Sequence, residues 1–487
     1  MIRGADEAVL ITYLATIVVA GWWLGRRTTD ADDFMSAGRS LPGWAVGLSM
    51  FGSYVSSLSF LGNTGKAYAS NWNALAFTLA APLAAPIAVY YFVPFYRRSN
   101  AISAYEHLEH RFGPWARTYA VACYLLTQMA RMGAIVYLLG LAVAPLLNWP
   151  VATTIVLTGG LMTFYTLTGG IKSAVWIGVL QSVILVAGVA TCVIAVVQRT
   201  PGGVAAIVDV GANADKFSLG SFGSSLSEPT FWVIFIYGLV SHLTNLGVDQ
   251  SFIQRYITAR DDRAAARSVW ITVVLYMPTA ALFFFIGTGL YVFYDGGTAT
   301  LPSGIAGDKV FPHFIATQLP PGAAGLVVAA LFAASMDSNL SSMATLTFCD
   351  LYQRYFRPAA GQRESLRVLQ VATVGWGAAG TAVGLAMIGV GAALDAWWNL
   401  ASLFSGGVLG LFLLGLVARR ADRAAGAIAV VVGVLVIIWM TLPQLVDVPP
   451  SLRNPFHVNM TIVVGTLTIF LVGVLVSRLR WLLGGRR

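Results

Sequence analysis

Apolar stretches of about 20 residues recur along the whole chain, each long enough to cross the hydrocarbon layer of a membrane as a helix. Thirteen such spans are predicted, at 7–25, 43–69, 73–96, 114–146, 150–168, 172–198, 228–257, 264–294, 322–349, 366–390, 394–418, 423–443 and 458–483. Backbone groups in lipid must be hydrogen-bonded internally, so spans of this length imply a helix bundle. The short alternating segments of a membrane β-barrel are absent from the pattern. Polar loops separate the spans. The longest, 199–227 and 295–321, are rich in Gly, Pro and Ser.

Composition agrees with the pattern. Hydrophobic residues make up 57% of the 487-residue chain and charged residues 10%, whereas a soluble domain carries about a quarter charged residues. The net charge of +9 raises the question of nucleic acid, and its placement answers it. Alternate loops and the C-terminal tail hold 22 Lys and Arg, among them Arg97, Arg98, Arg260, Arg263, Arg354 and Arg357. The opposite loops hold five: Arg3, Arg199, Lys216, Lys309 and Arg453. By the positive-inside rule the N-terminus lies outside and the C-terminus in the cytoplasm of a multi-pass plasma-membrane protein. The charge is a topology signal, and no nucleic-acid partner is implied. The first stretch lacks a basic leader and a small-residue cleavage site, so it reads as a retained helix. Cys123, Cys192 and Cys349 all fall in apolar segments and read as free buried thiols.

Thirteen helices accommodate a core of two five-helix units of inverted orientation, helices two to six and seven to eleven. Such a core places its binding site at mid-membrane, where the first helix of each unit breaks. Residues 1–42 then form an extra helix and loop. Residues 43–257 hold the first unit (to about 198) and the start of the second, 258–421 the rest of the second, and 422–487 two extra helices. Helix two carries a Gly/Ser-rich interruption at Phe51–Ser59, and helix seven one at Ser241–Gly247.

Ionisable groups within spans are costly and are candidates for function. Three are expected deep in the bundle: Lys66, Arg131 and Asp337. Asp337, with hydroxyls at Ser335, Ser338, Ser341 and Ser342, offers oxygen ligands suited to a hard cation. Arg131 suits a bidentate grip on a carboxylate. Lys66, near the outer end of helix two, reads as a side chain reaching for the interface. His107, Glu109 and His110 give weak zinc spacing, and Asp30, Asp32 and Asp33 lack a second acidic cluster to pair with for diphosphate chemistry. No nucleophile–base pair, P-loop or dinucleotide fingerprint is present, so the chain does not read as an enzyme.

Five motifs in order then carry a family resemblance: Ala31–Phe34 with Ala37–Trp44; Ser103–Phe112; Gly169–Ile171 with Trp176 and Gln181; Asp249-Gln250 with Gln254–Tyr256; and Ser342–Thr345 with Asp350–Tyr352. In these the chain resembles the sodium:solute symporter family, from about residue 8 to 480. The resemblance implies an all-α, LeuT-like inverted-repeat fold and Na⁺-coupled uptake of a small organic solute. It implies a sodium site on the carbonyls of Gly52 and Val55 in helix two. On helix nine the ligands fall on Ala334, Asp337 and Ser338 in one register, or on Leu331, Ala334 and Ser335 in another. Some members bind a second sodium through an Asp on helix six. That position is Gly178 here, and Asp337 with Ser341 and Ser342 is expected to take its place. The sialic-acid and monocarboxylate branches look nearest, and the substrate positions of the sialic-acid members match Arg131, Ser56 and Ser59. Thr78 replaces a glutamine of the sialic-acid members, so the expectation is an anionic organic solute rather than sialic acid itself. No organic cofactor and no obligate protein partner are implied, and the surroundings are membrane lipid. Two alternatives stay open: proton coupling through Asp337, and a membrane sensor that binds the solute without moving it.

Overall fold

The computed structural model describes all residues except 1–3, 27–29, 100, 148, 303–304, 306, 336–338, 389–400, 402–406, 446–447, 450–451 and 485–487. The described residues form helices and no strand, apart from one isolated bridge between Leu41 and Ala259. Among the described residues, nine helices are long and apolar enough to cross a membrane, and two bent pairs qualify when each is taken as one span. Two shorter apolar helices, Val151–Leu167 and Val408–Val417, fall where the fifth and eleventh spans are expected. Side chains such as Ile11, Val431, Leu435 and Leu471 stay exposed on the outside of the bundle, as a lipid-facing surface requires.

Both helices that begin a five-helix unit are broken. Helix two consists of Gly43–Tyr54 and Ser57–Ala69, bent by 48°. Val55 and Ser56 between them are extended, with ψ of 97° and 170°. Glycine, serine and a β-branched residue cluster there, and all are poor helix formers. Helix seven consists of Phe231–Gly247 and Gln250–Ile257, bent by 49°. Its break corrects the expectation. Residues 241–247 stay helical, and the chain opens at Val248 and Asp249. The Asp249 side chain accepts from the Ser251 N–H and so starts the second half as an N-cap.

Helices five and six meet at Gly170, where φ is +53° and ψ is −148°. Only glycine adopts that conformation readily, and a Cβ there would stand 2.5 Å from the Phe34 carbonyl oxygen. Helix eight packs against both halves of helix two, and helix six against helices one, two and nine. Asp6 ties helix one to the start of helix nine: its Oδ1 accepts from Gly322 N–H at 2.7 Å and Gly325 N–H at 2.8 Å. A carboxylate there also meets the positive end of that helix. The long loops are not featureless, because Gly203–Asn213 and Gly307–Gln318 are helical.

Candidate functional site

The break in helix two organises the centre. A helix end leaves its last carbonyls without an intrahelical donor. Arg131 Nη2, from helix four, donates to the Ser53 carbonyl at 2.7 Å, so the guanidinium sits against the break. The carbonyls of Gly52 and Val55 belong to the same opened turn. Ser56 and Ser57 begin the second half. Ser56 is buried, and the Ser57 hydroxyl bonds the Ile135 carbonyl of helix four at 3.3 Å. Ser59 lies one turn further out and is half-buried. Arg131 therefore lies against the Gly52–Val55 turn, which Ser56 follows.

On helix nine, Asp337 and Ser338 lie outside the described residues. Ala334 and Leu331 are buried in Ala323–Ser335. The Ser335 hydroxyl donates to the Leu331 carbonyl at 2.7 Å, so the second register joins two of its own ligands to each other. In Asn339–Leu346, the hydroxyls of Ser341 and Ser342 are fully buried with no hydrogen-bond partner among the described residues. Buried hydroxyls are seldom left so, and oxygen atoms with free lone pairs fit a sodium ion. Across from them, Gly178 of helix six lies against helix two. A Cβ at 178 would stand 2.6 Å from Ser49 Oγ and 3.1 Å from its Cα. The close crossing of the two helices leaves no room for a carboxylate on that side, which accounts for the glycine.

One buried polar chain escaped the sequence reading. Asn339 Nδ2 of helix nine donates to Gln128 Oε1 at 2.7 Å, and Gln128 Nε2 donates to Asp249 Oδ2 at 2.8 Å. Helices nine, four and seven are thus joined one turn from Arg131. A cavity of about 30 Å³ beside the chain is lined by Tyr105, Tyr124, Thr127, Gln128, Thr244 and Asp249. The expectation of three deep ionisable groups is corrected: Asp249 is a fourth, 9% exposed at the break of helix seven. Its signal was present, since it is an ionisable residue within span seven.

Thr78 occupies different surroundings. Its hydroxyl meets the Tyr276 hydroxyl at 3.3 Å and is buried. Tyr276, Tyr54, Phe252, His242 and Phe77 form an aromatic box beside the break, with Tyr54 ring centroids 4.8 Å from Phe252 and 5.1 Å from Tyr276. His242 Nε2 is 3.1 Å from the Phe77 carbonyl. Tyr54, the last helical residue before the break, carries that box to the site.

The arginine-rich end holds a second cluster. Asp350, with a fully buried side chain, pairs with Arg117 Nε and accepts from Ser103 Oγ at 2.7 Å, both on Oδ1. Its Oδ2 has no hydrogen-bond partner. Arg117 Nη1 meets Glu109 at 2.9 Å, and Arg354 pairs with the same Glu109. Gln250 bonds the Ala104 N–H and the Ile102 carbonyl, while Gln254 Nε2 bonds the Met35 carbonyl and Thr345. Three of the five sequence motifs meet here, as fasteners between loops and helix ends.

Broken helices with oxygen-rich turns, facing each other across a bundle, define a secondary active transporter. A model of the sodium:solute symporter family matches residues 34–438. The chain is 31% identical over 439 residues to the sodium/sialic acid symporter SiaT of Proteus mirabilis, covering 89% of this chain and 88% of that protein. It is 27% identical over 465 residues to the human sodium-coupled monocarboxylate transporter 1, covering 93% and 75%. The solved substrate-bound outward-open state of a Na⁺-coupled sialic acid symporter superposes with a TM-score of 0.89 at 27% identity, covering 98% of both chains. Mhp1, a nucleobase-cation-symport-1 transporter, shares the fold at a TM-score of 0.59 and 15% identity. The chain belongs to the sodium:solute symporter family. It is a multi-pass membrane transporter that couples Na⁺ to the movement of a small organic solute, and not an enzyme.

Proposed function

We propose that the protein carries a small carboxylate-bearing solute into the cell together with Na⁺, and that Arg131 holds the carboxylate. The observation that carries this reading is Arg131 itself, a guanidinium placed against the helix-two break with one arm on the Ser53 carbonyl. Ser56 and Ser59 supply polar contacts, and Thr78 acts from behind through Tyr276. The sialic-acid symporters among the relatives support an acid as cargo.

The main sodium site takes the carbonyls of Gly52, Val55 and Ala334 with the side chains of Asp337 and Ser338. This register supplies one more side-chain oxygen than the one on Leu331, Ala334 and Ser335. A second cation site takes Asp337 with Ser341 and Ser342, whose hydroxyls are buried without partners. Sodium then ties helix two to helix nine and stabilises the form open to the outside, which completes the solute pocket. The N-terminus is outside, so the Asp350 cluster lies on the cytoplasmic side and separates when the pathway opens inward.

Reconstituted liposomes test this reading. Uptake of labelled sialic acid and short monocarboxylates is expected to require an inward Na⁺ gradient. Uptake driven by a pH gradient alone would make Asp337 a proton carrier. Binding without uptake would make the protein a sensor. Asp337→Ala with unchanged sodium dependence would overturn both cation assignments.

A further inference from the structure

The buried polar chain from helix seven to helix nine has a direction. Asp249 Oδ1 accepts from the N–H and the hydroxyl of Ser251, and Oδ2 accepts from Gln128 Nε2 at 2.8 Å. An ionised carboxylate has no proton to give, so Gln128 turns its NH₂ towards helix seven and its oxygen towards helix nine. Asn339 must then donate, and its Nδ2 meets Gln128 Oε1 at 2.7 Å. The orientation of each amide follows from the group before it. The charge of Asp249 therefore decides, two side chains away, which atom of Asn339 is left over.

That atom is Oδ1. It is buried and has no hydrogen-bond partner among the described residues, on a residue 7% exposed. The hydroxyls of Ser341 and Ser342 are the other side-chain oxygens of Asn339–Leu346 in the same position. Ser342 lies three residues after Asn339, which puts the two on one side of the helix. A buried acceptor without a donor is costly, and a hard cation is satisfied by several such oxygens, amide carbonyls among them. The same amide turned the other way would aim an N–H at the ion and repel it.

We propose that Asn339 Oδ1 is a ligand of the cation held by Ser341 and Ser342, and that Asp249, through Gln128, is the positioning residue that keeps this oxygen turned towards it. The inference rests on the cation reading of those two serines. It gives helices four and seven a part in cation binding on helix nine without contact with the ion. Gln128 stands three residues before Arg131 on helix four, so the same bridge joins the cation to the helix that carries the arginine.

Asp249→Asn reverses the direction and keeps the number of bonds. Asparagine caps a helix as well as aspartate does, so its oxygen stays on the Ser251 N–H and its NH₂ turns to Gln128. Both following amides flip, and Asn339 presents an N–H in place of Oδ1. The measurement is the melting temperature of the purified protein in detergent, titrated with NaCl against choline chloride without solute. A bound cation raises it according to its concentration relative to Kd. Asp249→Asn is expected to melt close to the native protein in choline and to need about tenfold more Na⁺ for half of the shift, the loss of one interaction with a charged group. Asn339→Ala removes the oxygen outright and is expected to raise the Na⁺ requirement by a similar factor. Asp249→Asn/Asn339→Asp restores an oxygen at the end of the reversed chain and is expected to return the requirement to the native value or below it. A purely structural bridge gives no such recovery. An unchanged Na⁺ requirement in both single variants would overturn the proposal, as would a double variant no better than Asp249→Asn. Weakened solute binding with an unmoved Na⁺ titration would also overturn it, by placing Oδ1 in the solute pocket. Ser342→Ala in the same titration reports the cation reading separately: a raised Na⁺ requirement there leaves that reading standing whatever Asn339 does.

Discussion

Two stretches of helix nine, about two turns apart, differ in how far their buried polar side chains are answered. Ser341 and Ser342 carry hydroxyls that no described residue satisfies. Asp350, further along, has its charge answered by Arg117 and Ser103, which are in turn held by Glu109 and the loop before helix four. The second stretch is fastened in this conformation. The first is costly as it stands, which fits the cation site proposed for it. The difference separates residues that fasten the bundle from residues that await a ligand, although both belong to matched sequence motifs.

The comparison breaks most visibly at Asp350. Removing one partner of a buried ion pair costs about 3–5 kcal/mol, so Asp350→Ala is expected to lower the melting temperature sharply in detergent. The Arg117→Met/Asp350→Leu double variant is expected to recover most of that loss; equal destabilisation in single and double variants would show that the pair is not the fastener. Arg131→Lys comes next. A lysine loses the planar fork, and KM for the transported acid is expected to rise about tenfold, or ~1.4 kcal/mol, with the melting temperature little changed. Ser342→Ala sharpens the contrast because its two effects have opposite signs. Removing an unsatisfied buried hydroxyl is neutral or stabilising by about 1 kcal/mol, so the Na⁺-free protein is expected to melt no lower. The sodium concentration for half-maximal uptake is expected to rise. A lower melting temperature with unchanged sodium dependence would put Ser342 among the fasteners.

The smallest effect concerns His107, in the loop helix beside the Asp350 cluster. Burial against Phe95 and Phe412, helped by Arg111, lowers its pKa to about 4. The folded state therefore binds this proton less readily than the unfolded chain. The resulting stability is complete above pH ~6.5 and is lost as pH falls towards 4. Thermal melts across that window are expected to show an acid-side decline that His107→Phe reduces.

Much of the core was legible because it depends on local chemistry. The Gly52–Ser57 stretch weakens a helix wherever it is placed, so its break could be read from composition. Arg131 stood out because charge is rare within a span. The break of helix seven was misplaced because residues 241–247 look equally interruptible, and the deciding element is the Asp249 side chain capping the half that follows. The polar chain through Gln128 was missed for a related reason: glutamine and asparagine carry no charge, and neither names its partner.

Apolar length, charge alternation and the loosened turn in helix two are properties of neighbours in sequence, so the sequence by itself determined a bundle of membrane helices with a broken second helix and an arginine at its centre. The pairing of Arg117 with Asp350, the join of Asn339 to Asp249 through Gln128, and the crossing that forbids a side chain at Gly178 link positions far apart in the chain. Only the tertiary structure decided these, because whether a buried polar atom is satisfied depends on which distant helix is packed against it.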